Sequence, residues 1–377
     1  MIRWLFKYSV VLYLINTILL AIKYTFGLGN IIFLGIMGLY AILIFVNPQQ
    51  FKSVLLHKSF LFLLILTVLN ILYLVVFDSI SNIESLKFLS ARAIQFSIIP
   101  LAIYHHLEYY KDKFLNHLVY IIFGIVLLGL LLNPYIFSGR YSGIIWNPNA
   151  LSSFTTIAFG IVLLKNEKKS NFDYVLLFTF LIISLATGSR GALVGIALAY
   201  VLRYGFSTRN VIYAIISIVL YLFVLNLNFD TSLNRLGTQS LLGDRTLQYH
   251  YAIETLKEKP ISGWGLDKYA FIDTRLLPSH HIDQIVGAHN GYLAILVQYG
   301  MLFSIFIFYI IFSKSFTVIK YFNKDKIGYT SIYSFLIIYT FLASIYESLM
   351  TGINEFHTVL FWFSLAILSF SKFKHEN

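Results

Sequence analysis

The chain has 377 residues, of which 58% are hydrophobic and only 12% are charged, and its formal net charge is +11 at pH 7. Soluble domains carry about 25% charged residues, so this composition excludes an ordinary soluble enzyme and indicates a protein of the lipid bilayer. The absence of cysteine excludes disulfides and thiolate metal sites. The positive charge does not indicate nucleic acid binding, because most basic residues fall in short loops, where they set membrane topology.

Apolar runs long enough to cross a bilayer as a helix follow one another along the whole chain. They predict twelve spans, at roughly 6–22, 28–46, 60–77, 88–104, 115–133, 150–164, 174–188, 191–207, 211–227, 292–312, 330–347 and 354–370. The first span follows a basic start but precedes no small-residue cleavage site, so we interpret it as an uncleaved helix. The sequence therefore predicts an all-α, polytopic membrane protein with about 12 transmembrane helices in a single integral membrane domain, residues 1–377.

Lysines and arginines are divided unequally between the two sides of these spans. If the N-terminus is cytoplasmic, the cytoplasmic segments hold 17 of the 28 basic residues, and six more lie in one long loop. Long loops are exempt from the positive-inside rule. Only five basic residues then remain for the other side, namely Lys23, Lys87, Arg92, Arg140 and Arg190. This distribution predicts that both termini are cytoplasmic and that the long loop is extracytoplasmic.

The long loop, residues 228–291, is the only long polar segment of the chain. Asp244 as an N-cap and Pro260 as a stop signal predict a helix that runs through Glu258. Because so apolar a chain keeps this segment polar, we expect the protein to use it. We predict that the loop covers an active site.

Four arginines fall on the predicted outer face. Arg140 directly precedes a span, Arg190 lies in a Gly/Ser-rich break between two short spans, and Arg235 and Arg245 lie in the loop. A single arginine at the end of a span is often only a membrane anchor. Several guanidinium groups on one face suit a diphosphate, because each binds phosphate oxygens in a bidentate way. These residues predict a lipid diphosphate as ligand, with Arg275 as a further candidate from the loop.

His289 lies where the long loop re-enters the membrane. A histidine can take a proton from a sugar hydroxyl near neutral pH, so His289 is a candidate general base; the alternative is a capping or interfacial residue. Its neighbour Asn290 is expected to cap the next helix or to hold a sugar hydroxyl. Asn147 and Asn149 flank a proline in a turn that starts the span near 150.

Further polar residues crowd the last predicted external turn. Two interpretations stay open for them, a carboxylate contributed to the same site or side chains that only solvate the turn, and we slightly prefer the second: Glu347, Asn354, Glu355 and His357. The adjacent His280 and His281 chelate poorly because their side chains diverge. No metal site is predicted.

Four segments in order carry a resemblance to a known family. They are RYSGIIWNPN at 140–149, GSRGALVG at 188–195, PISGWG at 260–265 and HNGYLAILVQYG at 289–300. Together with the large late loop, they resemble the O-antigen ligase and Wzy-type polymerase superfamily of bacterial envelope glycosyltransferases, with a GT-C-like fold. The similarity covers roughly residues 140–312, and the first five spans match only by hydrophobicity.

The resemblance implies glycosyl transfer without a metal or cofactor at the outer face of the bacterial cytoplasmic membrane. The implied donor is a glycan on undecaprenyl diphosphate, and the partners are this donor, a glycan acceptor and the bilayer. Arg190, Arg235 and Arg245 would bind the diphosphate, and His289 would be the catalytic base. Arg190 would act with it in catalysis. Arg140 would line the same cavity, together with Asn147 and Asn149.

Three functions fit these features. We prefer a polymerase that joins lipid-linked repeat units into an O-antigen, capsule or exopolysaccharide. The resemblance then implies a chain-length regulator protein as a further partner. The alternative within the family is a ligase that transfers the glycan to lipid A–core or another surface acceptor. A transporter of lipid-linked glycans would also use arginines, but transporters usually place polar sites near the bilayer midplane and often show inverted repeats.

Overall fold

The computed structural model describes residues 2–46, 48–136, 139–210, 212, 245–282, 285 and 287–376. These residues form helices and no β-strand, and one isolated bridge joins Ile22 to Ile145. The helices in chain order are α1 (Ile2–Ala21), α2 (Phe26–Val46), α3 (Pro48–Leu55), α4 (Leu61–Val76), α5 (Ile83–Glu108), α6 (Phe114–Leu132), α7 (Pro148–Lys165), α8 (Asn171–Ala186), α9 (Arg190–Tyr204), α10 (Arg245–Glu258), α11 (Gly291–Tyr321), α12 (Tyr329–Ala343) and α13 (Phe356–Glu376). A π-helical turn, Tyr109–Lys113, joins α5 to α6.

The predicted spans coincide with helices wherever the structure describes the chain. The two that differ most are 88–104, where α5 runs from Ile83 to Glu108, and 292–312, where α11 continues to Tyr321. The predicted span 211–227 lies outside the described residues, as do residues 228–244 of the long loop and the Asp244 cap. The predicted loop helix is confirmed over Arg245–Glu258.

Among the described residues, five segments are long and apolar enough to cross a membrane, as judged from length and composition. They are Trp4–Ala21, Phe26–Val46, Ile83–Leu132, Gly291–Tyr321 and Phe356–Glu376. The apolar helices α4, α8 and α12 are shorter, at 16, 16 and 15 residues. A multi-pass membrane protein is therefore confirmed, whereas the count of twelve spans stays a prediction.

The polar connections that carry the predicted site residues lie at one end of the helix bundle. The segment between α6 and α7 contacts the ends of two helices there: the Trp146 amide donates to the Ala21 carbonyl at 2.9 Å, and the Tyr141 amide to the Ala186 carbonyl at 3.0 Å. The start of α11 joins the same end, because the Gly291 amide donates to the Ser344 carbonyl at 2.7 Å.

Two glycines fasten the loop after α10 to α11. Gly263 has φ +69°, and Gly300, where α11 kinks, has φ +65°. A Cβ on Gly263 would lie 2.3 Å from the Gly300 nitrogen, so only glycine permits this approach. The Trp264 amide then donates to the Val297 carbonyl at 2.9 Å, and the Met301 amide donates to the Pro260 carbonyl at 2.8 Å. Two of the motifs singled out in the sequence therefore form one joint, which fixes the end of α10 relative to α11.

A buried arginine holds the connection between α12 and α13. Arg92 of α5 is 3% exposed, and its guanidinium donates to the Gln95 side chain at 2.8 Å and to the Gly352 carbonyl at 3.1 Å. It also donates to the Thr351 carbonyl. Buried guanidinium groups need such partners because an unpaired buried charge is costly. Arg92 therefore serves the fold by fixing the turn that precedes Glu355.

Candidate functional site

A pocket of about 810 Å³ opens at this end of the bundle. Its lining comes from α1, α2, the 140–154 segment, the start of α9, α10, the end of the long loop and the α12–α13 connection. Substrate sites are concave and combine apolar walls with a few converging polar groups. The residues that converge on this pocket are separated along the chain by up to several hundred positions and meet only in the folded structure.

Glu347 lies at the centre of the polar groups. Its Oε1 accepts from Arg245 Nη2 at 2.7 Å and from Asn149 Nδ2 at 2.9 Å. Its Oε2 lies 3.1 Å from His289 Nδ1. One carboxylate therefore joins α7, α10 and the end of the long loop.

Local backbone structure directs these side chains toward each other. The α12 helix ends at Ala343, and a turn in which the Glu347 amide donates to the Ala343 carbonyl at 2.9 Å presents the carboxylate. His289 has φ +41°, a left-handed conformation that is uncommon outside glycine. Asn290 follows it as the N-cap of α11 and accepts from the Tyr292 and Leu293 amides. Backbone strain of this kind collects at functional sites.

The Glu347 contacts determine which ring nitrogen of His289 is free to act. Burial raises the pKa of Glu347, but the hydrogen bond from His289 and the positive charge of Arg245 outweigh it and lower the pKa overall. An ionised carboxylate only accepts hydrogen bonds, so Nδ1 of His289 carries the proton. In the neutral ring, Nε2 then has the free lone pair. This is the arrangement that a general base requires.

The arginines supply positive charge around the same pocket. Arg245 has a side chain 24% exposed, and its Nη1 is buried without a hydrogen-bond partner among the described residues. Arg140 donates from Nε to the Thr187 carbonyl at 3.0 Å and from Nη2 to the Asn149 side chain. Arg190 lines the pocket from the first turn of α9, just after Gly188 at φ +62°. Three guanidinium groups therefore surround a pocket in which Glu347 offsets one positive charge.

The structure brings together most of the residues selected from the sequence. The residues that line the pocket are Arg140, Asn147, Asn149, Arg190, Arg245 and His289. Asn290 caps α11 and does not line it. Arg235 lies outside the described residues. Arg275 lies away from the pocket, because its 73% exposed side chain pairs with Asp273 at 2.5 Å. Among the loop arginines that the structure describes, the geometry favours Arg245.

Sequence reasoning undervalued the α12–α13 connection. Solvation was the preferred interpretation of its polar residues, yet Glu347, Asn354, Glu355 and His357 all line the pocket. Tyr269 of the loop, which the sequence did not single out, also lines it. The available signal was two glutamates in a short external turn of a chain that has only 17 acidic residues. Within the described residues, no group of three or more histidine, aspartate and glutamate side chains is arranged to hold a metal ion.

Fold and site together define a class: an all-helical, multi-pass membrane protein with an arginine-rich polar pocket at one end of its bundle. Residues 175–309 match the family model described as O-Antigen ligase, and a search of curated proteins gives no match. This match supports the resemblance of the chain to the O-antigen ligase and Wzy-type polymerase superfamily over this segment. The matched segment includes Arg190, Arg245 and His289, whereas Arg140 and Glu347 lie outside it.

Proposed function

We propose that this protein is a membrane glycosyltransferase that uses a glycan linked to undecaprenyl diphosphate as donor and needs no metal ion. One observation carries the proposal: His289, Glu347 and Arg245 form a hydrogen-bonded group in a pocket that Arg140 and Arg190 also line. A base and several guanidinium groups in one cavity are what transfer from a lipid diphosphate requires.

The arginines provide the site for the diphosphate. A diphosphate exposes several anionic oxygens, and guanidinium groups bind such oxygens through paired N–H donors. Arg245 Nη1 is a buried donor without a partner among the described residues, so it is available to a ligand. As the glycosidic bond breaks, negative charge grows on the departing phosphate. Positioned donors of this kind contribute on the order of 3–4 kcal/mol each to the transition state.

His289 activates the acceptor. Its Nε2 removes the proton from an acceptor hydroxyl while the hydroxyl oxygen bonds to the anomeric carbon and the bond from that carbon to the phosphate oxygen breaks. The electron pair leaves with undecaprenyl diphosphate, and attack from the opposite face inverts the anomeric carbon. Glu347 holds the ring and stabilises the imidazolium that forms. Base assistance contributes about 10²–10⁴ in rate.

The pocket faces the outside of the cytoplasmic membrane in this proposal. The opposite end of the bundle gathers basic side chains, as in the contact of Lys165 with Asp112 at 3.3 Å and of Arg203 with the Glu167 carbonyl at 3.0 Å. Short segments rich in lysine and arginine stay in the cytoplasm. By the same rule, we expect both termini to be cytoplasmic.

We prefer a polymerase, which transfers the growing glycan to another lipid-linked repeat unit, over a ligase, which transfers it to lipid A–core or another surface acceptor. Both reactions use the same donor and the same base, so the acceptor must be tested directly. Purified protein in liposomes receives undecaprenyl-diphosphate repeat units and no other acceptor. A ladder of repeats identifies a polymerase. If the donor stays unchanged on its own but is consumed once lipid A–core is added, the protein is a ligase. If the donor stays unchanged with either acceptor, the proposal is contradicted.

A further inference from the structure

The pocket contains a second cluster of polar side chains, which the proposed chemistry does not use. It consists of Ser153 on α7, Tyr339 on α12, and Glu355 and His357 at the start of α13, all of which line the cavity. We call these four residues the inner wall. None of them is a lysine or an arginine.

His357 is the most informative member of the inner wall. It is 4% exposed, and its Nδ1 lies 3.0 Å from the Ser153 hydroxyl oxygen. Its Nε2 is buried and has no hydrogen-bond partner among the described residues. An unpaired polar atom in a buried position destabilises the fold. Because His357 lines the pocket, this nitrogen is placed to bond to a ligand there.

Glu355 is a second acceptor on the inner wall with capacity to spare. The Tyr269 hydroxyl lies 3.0 Å from Oε1 and 2.9 Å from Oε2, and Thr358 donates to Oε2 at 2.9 Å. A carboxyl group offers about four lone-pair positions, so these two hydroxyl donors do not exhaust it. Burial raises the pKa of Glu355 to about 7, and the nearby charge of Glu347 adds to this effect. The neighbouring Arg92 directs its hydrogen bonds to Gln95 and to backbone carbonyls instead.

Aromatic rings complete the surface. The Tyr339 ring lies against the His357 ring with centroids 5.0 Å apart, and the Phe154 and Phe356 rings, which also line the pocket, meet at 4.6 Å. Aromatic side chains offer apolar area at little entropic cost. Hydroxyl, imidazole and carboxyl groups set among such rings match a ligand with both hydroxyl groups and apolar C–H faces.

We propose that the inner wall binds an uncharged sugar ring next to the reacting bond, through His357 Nε2, Glu355 and the Tyr339 ring. This inference rests on the proposed function and adds a sugar-binding subsite to it. A phosphate is the wrong ligand for this surface, because none of the four residues is a lysine or an arginine and the ionised form of Glu355 would repel it. The sugar belongs either to the donor or to the acceptor.

The test separates sugar binding from diphosphate binding. His357→Asn keeps a polar atom near the position of Nδ1 and removes Nε2, whereas His357→Gln places an amide near the position of Nε2. Both variants, Arg245→Ala and the unmodified protein are placed in lipid nanodiscs. Affinities are measured for undecaprenyl diphosphate without a glycan and for the undecaprenyl-diphosphate-linked repeat unit. A third measurement gives the KM of transfer to the repeat-unit oligosaccharide released from that lipid by mild acid, which lacks a diphosphate and can only accept.

We expect His357→Asn to weaken one sugar-dependent quantity by about 3–10-fold, the usual effect of one hydrogen bond, and His357→Gln to restore most of it. A change confined to the affinity for the lipid-linked unit assigns the donor sugar, and a change confined to the KM of the free oligosaccharide assigns the acceptor sugar. Affinity for undecaprenyl diphosphate stays unchanged in both cases, which shows that the variants fold.

Two results overturn the inference: equal weakening of both lipids by His357→Asn, or no change in any of the three quantities. Arg245→Ala reports separately on the proposed function. If Arg245→Ala does not weaken the binding of undecaprenyl diphosphate, Arg245 does not bind the diphosphate. The comparison of the two His357 variants still tests sugar binding in that case.

Discussion

His289 and Glu347 are hydrogen-bonded through Nδ1 and Oε2 at 3.1 Å, although 58 positions separate them in the chain. The contact joins the end of the long loop to the connection between α12 and α13. It directs Nε2 of the histidine away from the carboxylate, and the same carboxylate pairs with Arg245 at 2.7 Å. Glu347 thereby connects the predicted base to the predicted diphosphate site. It supports the base by orienting His289, but it competes with the diphosphate for Arg245.

The first prediction uses this opposition. Glu347→Gln removes the charge that orients His289 and stabilises its protonated form, so we expect kcat to fall by about 10–100-fold, part of the gain that base catalysis provides. Arg245 loses a competing carboxylate, so donor affinity stays the same or becomes tighter. Turnover and donor binding are measured on the same liposomes. Glu84→Gln, at an exposed carboxylate paired with Lys87, is the control and leaves both quantities unchanged. Loss of donor affinity in Glu347→Gln would mean that Glu347 only supports the fold.

Glu347 also shows what the sequence can and cannot predict. The helices follow from apolar runs, because the length of a span and its hydrophobicity are local properties. The extent of α5 does not, because polar residues such as Glu84 and His105 lie in its two ends, beyond the apolar run that predicts the span. His289 stood out through its motif. Glu347 has no motif of its own, and its importance arises from partners at positions 149, 245 and 289 that meet only in three dimensions.

The loop arginines provide a matched pair for the second prediction. Arg245 lines the pocket with its side chain 24% exposed, whereas Arg275 is 73% exposed and paired with Asp273. We expect Arg245→Ala to lower donor affinity by at least about tenfold, because a charge-assisted hydrogen bond contributes about 1.5–3 kcal/mol. Arg275→Ala changes it less than about threefold, since exposed ion pairs contribute little. Donor binding in nanodiscs gives both values, and the opposite ranking would place the diphosphate away from Glu347.

The third prediction concerns the shape of the cation at position 190. Arg190 lines the pocket at the start of α9. A guanidinium binds two phosphate oxygens at once, and a lysine keeps the charge but loses this fork. Arg190→Lys should therefore lower polymer yield by about tenfold or more, close to the effect of Arg190→Ala. Yield is read as the amount of repeat ladder at fixed protein and donor. If Arg190→Lys gives nearly the normal yield of repeat ladder, Arg190 acts only through its positive charge.

The glycine joint between the loop and α11 gives the fourth prediction. A Cβ on Gly300 would lie 2.1 Å from the Ile261 carbonyl oxygen, and its φ of +65° also disfavours alanine. Gly205 has a similar φ of +68° but no atom within 4 Å of its Cβ position, so it isolates the backbone effect. We expect Gly205→Ala to cost about 1–3 kcal/mol and Gly300→Ala to cost clearly more, with loss of folded protein. Thermal unfolding in detergent compares the two, and equal destabilisation would show that the close contact relaxes without strain.

The last prediction uses the titration of Glu355. Burial and the negative charge of Glu347 raise its pKa from 4.5 to about 7. The hydrogen bonds from Thr358 and Tyr269 and the positive charge of Arg92 lower the pKa but do not outweigh burial. Between these two pH values the folded protein holds a proton that the unfolded chain releases, so the stabilising contribution is complete below about pH 4.5 and is lost as the pH rises through 7. Glu355→Gln stays neutral at every pH. From pH 5 to pH 8 it should therefore gain stability relative to the unmodified protein, by on the order of 1–3 kcal/mol. Unfolding temperatures across this range test the difference, and parallel curves for the two proteins would show that Glu355 is ionised in the folded state throughout.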